Sequence, residues 1–276
     1  MRVLVFFFAL LFSQETALAS APRLENEAKL NVPEAIAQDV WPWLAQTFPP
    51  HCSVGESRFQ CERESESFYD TYFDNGSADL SNIWTGVRHR RRTYDNGDTK
   101  ELMQIKVTPK NSETTREEIK FSVREGRKVV IEEDAHPLLQ RLPRDKREKF
   151  IKTLNKYDVD AMELRPVLPL SQIRKRIYVG DPDPMLTITF DEMTSQRLWI
   201  KDTAYEIEVE INENLYTDAN DEERLKLEES QQAVLEGLLQ KFPQITQDQT
   251  PKYTKMFNRV FDQIPFGRTL LKWGLL

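Results

Sequence analysis

Hydrophobic and polar positions alternate in the first informative stretch of the chain, "RLENEAKLNV" (23–32). Glu25, Glu27 and Lys29 are separated by Asn26 and Ala28, and Leu30 and Val32 continue the period of two. Residues i, i+2 and i+4 share one face of a strand, so this pattern predicts a strand with a charged face. The period then changes. "PEAIAQDVWPWLAQTF" (33–48) places Ile36, Val40, Trp43 and Thr47 on one helical face, with Pro33 suited to a first turn and Pro42 expected to kink the helix or end its first half.

From residue 58 to about 131 the period returns to two. "SFYDTYFDN" (67–75), "TGVRHRRRTY" (85–94), "KELMQIKVTP" (100–109) and "REEIKFSV" (116–123) are short runs separated by turn signals such as "DNG". Residues 135–157 read as helix with a break at Pro143. Strands resume at "IRKRIYV" (173–179), "MLTITFDEM" (185–193), "RLWIKD" (197–202) and "YEIEVEI" (205–211). A long helix over 220–241 follows, and "DQTPKY" (248–253) leads into a shorter one over 252–262, with Pro251 suited to its first turn.

Many strands with few helices imply an α+β fold on a largely antiparallel sheet. Closure into a barrel is expected, because closure removes exposed strand edges. Two halves divided near residue 132 are the weaker alternative, since charged strands lie on both sides of that point.

The charges sharpen the picture. Arg88, Arg90 and Arg92 share a face, as do Gln104 with Lys106, Glu118 with Lys120, Arg174 with Arg176, and Glu206 with Glu208 and Glu210. Val87, Ile105, Ile119, Phe121, Ile207, Val209 and Ile211 interleave them. Any one such strand is ordinary amphipathicity with its charges in water. Segregation of acid and base by strand instead suggests a barrel turned inside out, with a charged interior and helices packed on the apolar outside. Bases would clamp a polyanion, and glutamate oxygens would hold Mg²⁺ or Mn²⁺. Together these are the requirements of phosphoryl transfer. Three histidines in the chain make histidine or zinc chemistry less attractive.

Residues 1–19 read as a secretory signal peptide: Arg2, the apolar run 3–12, and "ALA" (17–19) before Ser20. Ten apolar residues are too short a helix to span a membrane, which takes about 20. No cysteine near the cut supports a lipid anchor, and no later run reaches spanning length. Residues 20–276, including the C-terminal helices over 220–276, are therefore expected to be one periplasmic or secreted domain without a transmembrane segment. Net charge is −7, which argues against general nucleic-acid binding while permitting a local basic pocket. The two cysteines, Cys52 and Cys61, are expected to form a disulfide in an oxidising compartment.

"ENEAK" (25–29) resembles the Glu-x-Glu-x-Lys signature of the CYTH superfamily, the triphosphate tunnel metalloenzymes. The later order is similar too. "YDTYFDNGSADLSNIWTGVRHR" (69–90) resembles a Tyr-Asp-Thr strand followed by a paired-Arg strand. "LMQIKV", "REEIKF", "TITFD", "EIEVEI" and "TPKY" follow in the expected sequence.

The resemblance implies that Glu25 and Glu27 position metal and water, with Glu206 and Glu208 as further metal ligands. It assigns phosphate binding to Lys29, Arg88, Arg90, Lys106, Arg174, Arg176 and Lys252. Glu118, Lys120, Asp191 and Glu210 would be further tunnel residues. Thr187 departs from the pattern, standing where an Arg is usual four residues before the Asp.

Family members hydrolyse inorganic or thiamine triphosphate, cap RNA or cyclise ATP. The related VTC branch makes polyphosphate, and "RLENEAK" with "RHRRRTY" is similar to it as well. The reading is a metal-dependent hydrolase of inorganic triphosphate or short polyphosphate. Export argues against ATP-fed synthesis. The alternatives are a polyanion-binding module without catalysis, which Thr187 favours, a VTC-like polyphosphate polymerase, and a structural β-rich envelope protein.

Overall fold

The computed structural model describes residues 23–55, 57–108, 115–123, 136–180 and 183–276. The signal-peptide reading of 1–19 lies outside them. The strands are β1 (Arg23–Val32), β2 (His51–Val54), β3 (Ser57–Asp74), β4 (Gly86–Tyr94), β5 (Thr99–Val107), β6 (Thr115–Ser122), β7 (Arg165–Gly180), β8 (Pro184–Arg197), β9 (Ile200–Ile211) and β10 (Thr246–Gln247). The helices are α1 (Glu34–Thr47), α2 (Asp79–Asn82), α3 (Pro137–Gln140), α4 (Arg144–Asn155), α5 (Glu213–Asp218), α6 (Asp221–Lys241), α7 (Lys252–Phe261) and α8 (Gly267–Lys272). None of the described helices is long and apolar enough to cross a membrane.

The strands form an antiparallel sheet in the order β10-β1-β6-β5-β4-β3-β7-β8-β9, with β2 hairpinned onto β3. β1 also pairs with β9: residues 23–26 face β6 and residues 26–32 face β9. Its apolar side chains point away from the charges and meet helices. Val87, Ile105, Ile119 and Phe121 pack with Leu138, Phe150 and Leu154 of α3 and α4. Ile177, Ile188, Ile207 and Val209 pack with Val40 and Leu44 of α1 and Leu235 and Leu238 of α6.

Several elements run longer than their sequence signal. α1 continues through Pro42, which removes one backbone donor while Ala37, Val40 and Leu44 keep the helix anchored on the sheet. β7 begins at Arg165 although it contains Pro166 and Pro169; a register shift at Tyr72/Phe73 accommodates this part of the β3 pairing. The runs 197–202 and 205–211 belong to one hairpin, whose turn puts Leu198 at φ 53° and β9 in one piece from Ile200. α6 starts at the expected place because Asn220 and Glu223 form a reciprocal capping box.

The expected disulfide is present, joining Cys52 and Cys61 across the β2–β3 hairpin. Closing a loop of that length contributes about 2–3 kcal/mol on a chain-entropy account.

Candidate functional site

The polar face of the strands surrounds a cavity of about 440 Å³, inside the range of small-ligand sites. Period two aims Glu27 and Lys29 from β1, Arg88 and Arg90 from β4, and Glu208 and Glu210 from β9 at this space. Gln104 and Lys106 of β5, Glu118 and Lys120 of β6, Arg174 and Arg176 of β7, Thr187 of β8 and Lys252 of α7 complete it. The structure thus brings nearly all the residues singled out in the sequence to one place. Glu25 pairs through its backbone with Arg116, and its side chain lies outside the described residues.

One wall is built on β3. Asp70 is wholly buried and accepts from Arg90 Nε at 2.7 Å, Arg90 Nη2 at 2.6 Å and Arg88 Nη1 at 3.2 Å. Burial alone would raise its pKa; the two guanidiniums outweigh burial and lower it. Arg88 Nε donates to Gln104 at 2.7 Å and Arg88 Nη1 to the Tyr72 hydroxyl at 3.0 Å. Arg90 lies over the Phe68 ring at 3.8 Å. Further along, Glu66 pairs with Arg176 at 2.6 Å and with Arg92.

A second wall carries Glu118. It accepts from Gln104 Nε2 at 2.6 Å and pairs with Lys120 at 2.5 Å and Lys106 at 3.6 Å. Burial raises its pKa less than these lysines lower it.

The third wall joins β1, β8, β9 and α7. The ladder sets Lys29 opposite Glu208 and Glu27 opposite Glu210. Lys29 Nζ lies 2.8 Å from Glu208, 3.2 Å from Glu27 and 3.8 Å from Glu206. Burial would lower its pKa, and Glu208 and Glu27 more than compensate, raising it. Arg174 forks onto Asp191 at 2.7 and 2.6 Å and reaches Glu208 at 2.9 Å. Glu208 is held well below the usual carboxylate range, because Lys252, Lys29 and Arg174 overcome the cost of its burial.

The hydrogen bonds to Asp70 and Asp191 use only part of each guanidinium. Arg88 Nη2, Arg90 Nη1 and Arg174 Nη1 have no hydrogen-bond acceptor among the described residues, while all three side chains line the cavity. Such N–H groups suit phosphate oxygens. For a divalent cation the donor chemistry also fits. Asp191, Glu206 and Glu208 offer oxygens that all lie within 4.8 Å of one another, and hard oxygen ligands suit Mg²⁺ and Mn²⁺.

Sequence reasoning missed Asp70 and Glu66, although both sit at period two with Phe68 and Tyr72 in "ESFYDTY". Tyr72 is buried and also lines the cavity. Lys255, one turn beyond Lys252, was missed as well; its Nζ is 2.5 Å from Glu206 and 3.0 Å from Asp248. Arg91, between Arg90 and Arg92 on the opposite face of β4, is exposed. His89 faces away from the cavity and bonds Glu101 at 2.9 Å and Arg141 at 2.8 Å. Thr187 lines the cavity and adds no charge there.

No family model and no curated protein matches this chain. Solved structures that align with it include proteins described as putative adenylate cyclases and an RNA triphosphatase. The PH1819 protein from Pyrococcus horikoshii OT3 aligns at TM-score 0.49 and 16% identity, over 85% of this chain and 99% of that one. A putative adenylate cyclase from Bacillus halodurans aligns at 0.47 and 16%, over 80% and 98%. The putative adenylyl cyclase HpAC1 from Hippeastrum, described as having a dominant triphosphatase activity, aligns at 0.45 and 21%, over 79% and 87%. At such scores the likeness assigns no activity to this chain.

Proposed function

We propose that residues 20–276 form one exported tunnel domain, periplasmic or secreted, that cleaves a phosphoanhydride bond of inorganic triphosphate or short polyphosphate with Mg²⁺ or Mn²⁺. Closure of the sheet into a tunnel rests on β1, which pairs with β6 along one stretch and with β9 along the next. The observation that carries the function is the set of guanidiniums supported from behind by buried carboxylates, each with an Nη group left for a ligand.

A triphosphate brings several negative charges into a cavity whose cations are paired with carboxylates. Lys29, Lys106 and Lys252 would exchange carboxylate oxygens for phosphate oxygens, and Arg88, Arg90, Arg174 and Arg176 would add N–H donors without leaving their acidic supports. Asp191, Glu206 and Glu208 are the residues whose oxygens would hold the cation, with Glu25 and Glu27 added by the resemblance. A bound Mg²⁺ or Mn²⁺ would supply charge neutralisation and polarisation of the phosphoryl group. Glu27, beside Lys29, would orient the attacking water. The new P–O bond forms from water, the bridging P–O bond breaks, and the guanidiniums stabilise charge on the equatorial and leaving oxygens.

The test is phosphate release from inorganic triphosphate by protein starting at Ser20, with and without Mg²⁺ or Mn²⁺. Metal-dependent release in the wild type and its loss in Glu27→Gln are expected; no release under any condition overturns the enzymatic reading. The second reading, a polyanion-binding module without turnover, is favoured by the Lys252 ammonium on the carboxylate cluster and by Thr187.

A further inference from the structure

Asp191, Glu206 and Glu208 form a cluster with the donor chemistry of a cation site, and an ammonium group of the chain already sits in it. Lys252 Nζ is 3.0 Å from Asp191, 2.8 Å from Glu206 and 2.5 Å from Glu208. The ammonium is thus ion-paired with all three carboxylates at once. We propose that Lys252 is the resident cation of this cluster, and that a divalent ion enters only by displacing it.

Three further features hold the lysine in place. Lys252 is the first residue of α7, and the helix is fixed in the core by Tyr253, Met256, Phe257, Val260 and Phe261. Lys255, at i+3 on the same helix, takes the other oxygen of Glu206 at 2.5 Å. Arg174 and Lys29 contact the cluster from β7 and β1. The three carboxylates are thus met by four basic groups, so a doubly charged ion arriving without other changes would meet an environment already neutralised. Removing the lysine leaves buried like charges with one fewer partner, which is costly unless a cation replaces it.

None of this depends on which anion the cavity accepts. It does give the cluster a switch-like property. Any ligand that draws Lys252 away opens the carboxylates to a metal, and any metal that displaces Lys252 frees its ammonium for the ligand. Linkage makes the two effects equal in size.

The test measures Mn²⁺ binding in the absence of phosphate ligands, by the electron paramagnetic resonance signal of free Mn²⁺. Wild type, Lys252→Met and Lys252→Met combined with Asp191→Asn are compared. Lys252→Met is expected to bind Mn²⁺ roughly 5- to 150-fold more tightly than wild type, the usual range of coupling between competing ligands. The added Asp191→Asn change should reverse the gain. Equal Mn²⁺ binding by folded wild type and Lys252→Met overturns the proposal. If Lys252→Met unfolds without metal, Mn²⁺ should restore its melting transition, and failure to restore it also overturns the proposal. Triphosphate binding to the wild type, measured separately by calorimetry, reports on the polyphosphate reading alone.

Discussion

Asp70 and Arg90 are joined by a two-bond fork in which Nε meets Oδ1 at 2.7 Å and Nη2 meets Oδ2 at 2.6 Å. Arg88 shares the same carboxylate, so one acidic side chain sets the position of two guanidiniums. Asp70 is therefore a positioning residue, with its ionised form held in place by the bases it orients. Asp70→Ala should destabilise the fold by about 3–5 kcal/mol in urea denaturation, because it leaves two buried cations without their partner. Inorganic triphosphate should recover part of that loss by supplying replacement oxygens; an equal deficit with and without triphosphate would place the ligand elsewhere.

Asp191 makes stability depend on acid pH. Burial raises its pKa, but Arg174 and Lys252 prevail and bring it from 3.8 down to about 2. A depressed carboxylate stabilises the fold above its unfolded value and loses that contribution as pH falls through the folded one. The stability difference between wild type and Asp191→Asn should therefore be constant above about pH 5 and shrink between about pH 4 and pH 2. Denaturant titrations across that range check it, and a difference that stays flat down to pH 2 contradicts it.

Tyr253 ties α7 to the loop beneath the basic wall. Its hydroxyl donates to Asp74 at 2.7 Å, and Asp74 accepts from the backbone N–H groups of Leu80 and Ser81 at the start of α2. Burial raises the pKa of Asp74 despite these donors. Tyr253→Phe should cost about 1–3 kcal/mol, since a buried acceptor loses a partner. The ring stack on Tyr72, at 4.8 Å between centroids, survives in this variant. Triphosphate affinity should change far less than stability, a split that paired calorimetry and denaturation would reveal.

The Cys52–Cys61 bond lies on the apolar side of the sheet, packed with Val54 and Val179. Replacing both cysteines with serine should lower stability by about 2–3 kcal/mol. Triphosphate affinity should be unchanged, because neither cysteine lines the cavity.

Much of this architecture is visible in the alternation of charge. β1, β4, β6 and β9 carry runs of charge of one or both signs at alternating positions, β5 adds Gln104 and Lys106 in the same period, and the apolar residues between them lead to the helices that cover the sheet. The inner face of β3 was hidden because Phe68 and Tyr72 interrupt its acids, and aromatic residues read as packing. The start of β7 was hidden by Pro166 and Pro169, which ordinarily argue against a paired strand. Pairing of individual charges was beyond the sequence, since it depends on register. Lys29 meets Glu208 only because β1 and β9 align residue for residue, and Lys252 reaches the same carboxylate from a helix much later in the chain.

The most direct test is isothermal titration of inorganic triphosphate into wild type, Arg88→Ala and Arg90→Ala. The geometry predicts one binding event per chain in wild type and a loss of about 1.5–3 kcal/mol of binding free energy in each variant, the value of a hydrogen bond to a charged group. Absence of binding in the wild type, or undiminished affinity in both variants, would contradict a polyanion site in this cavity.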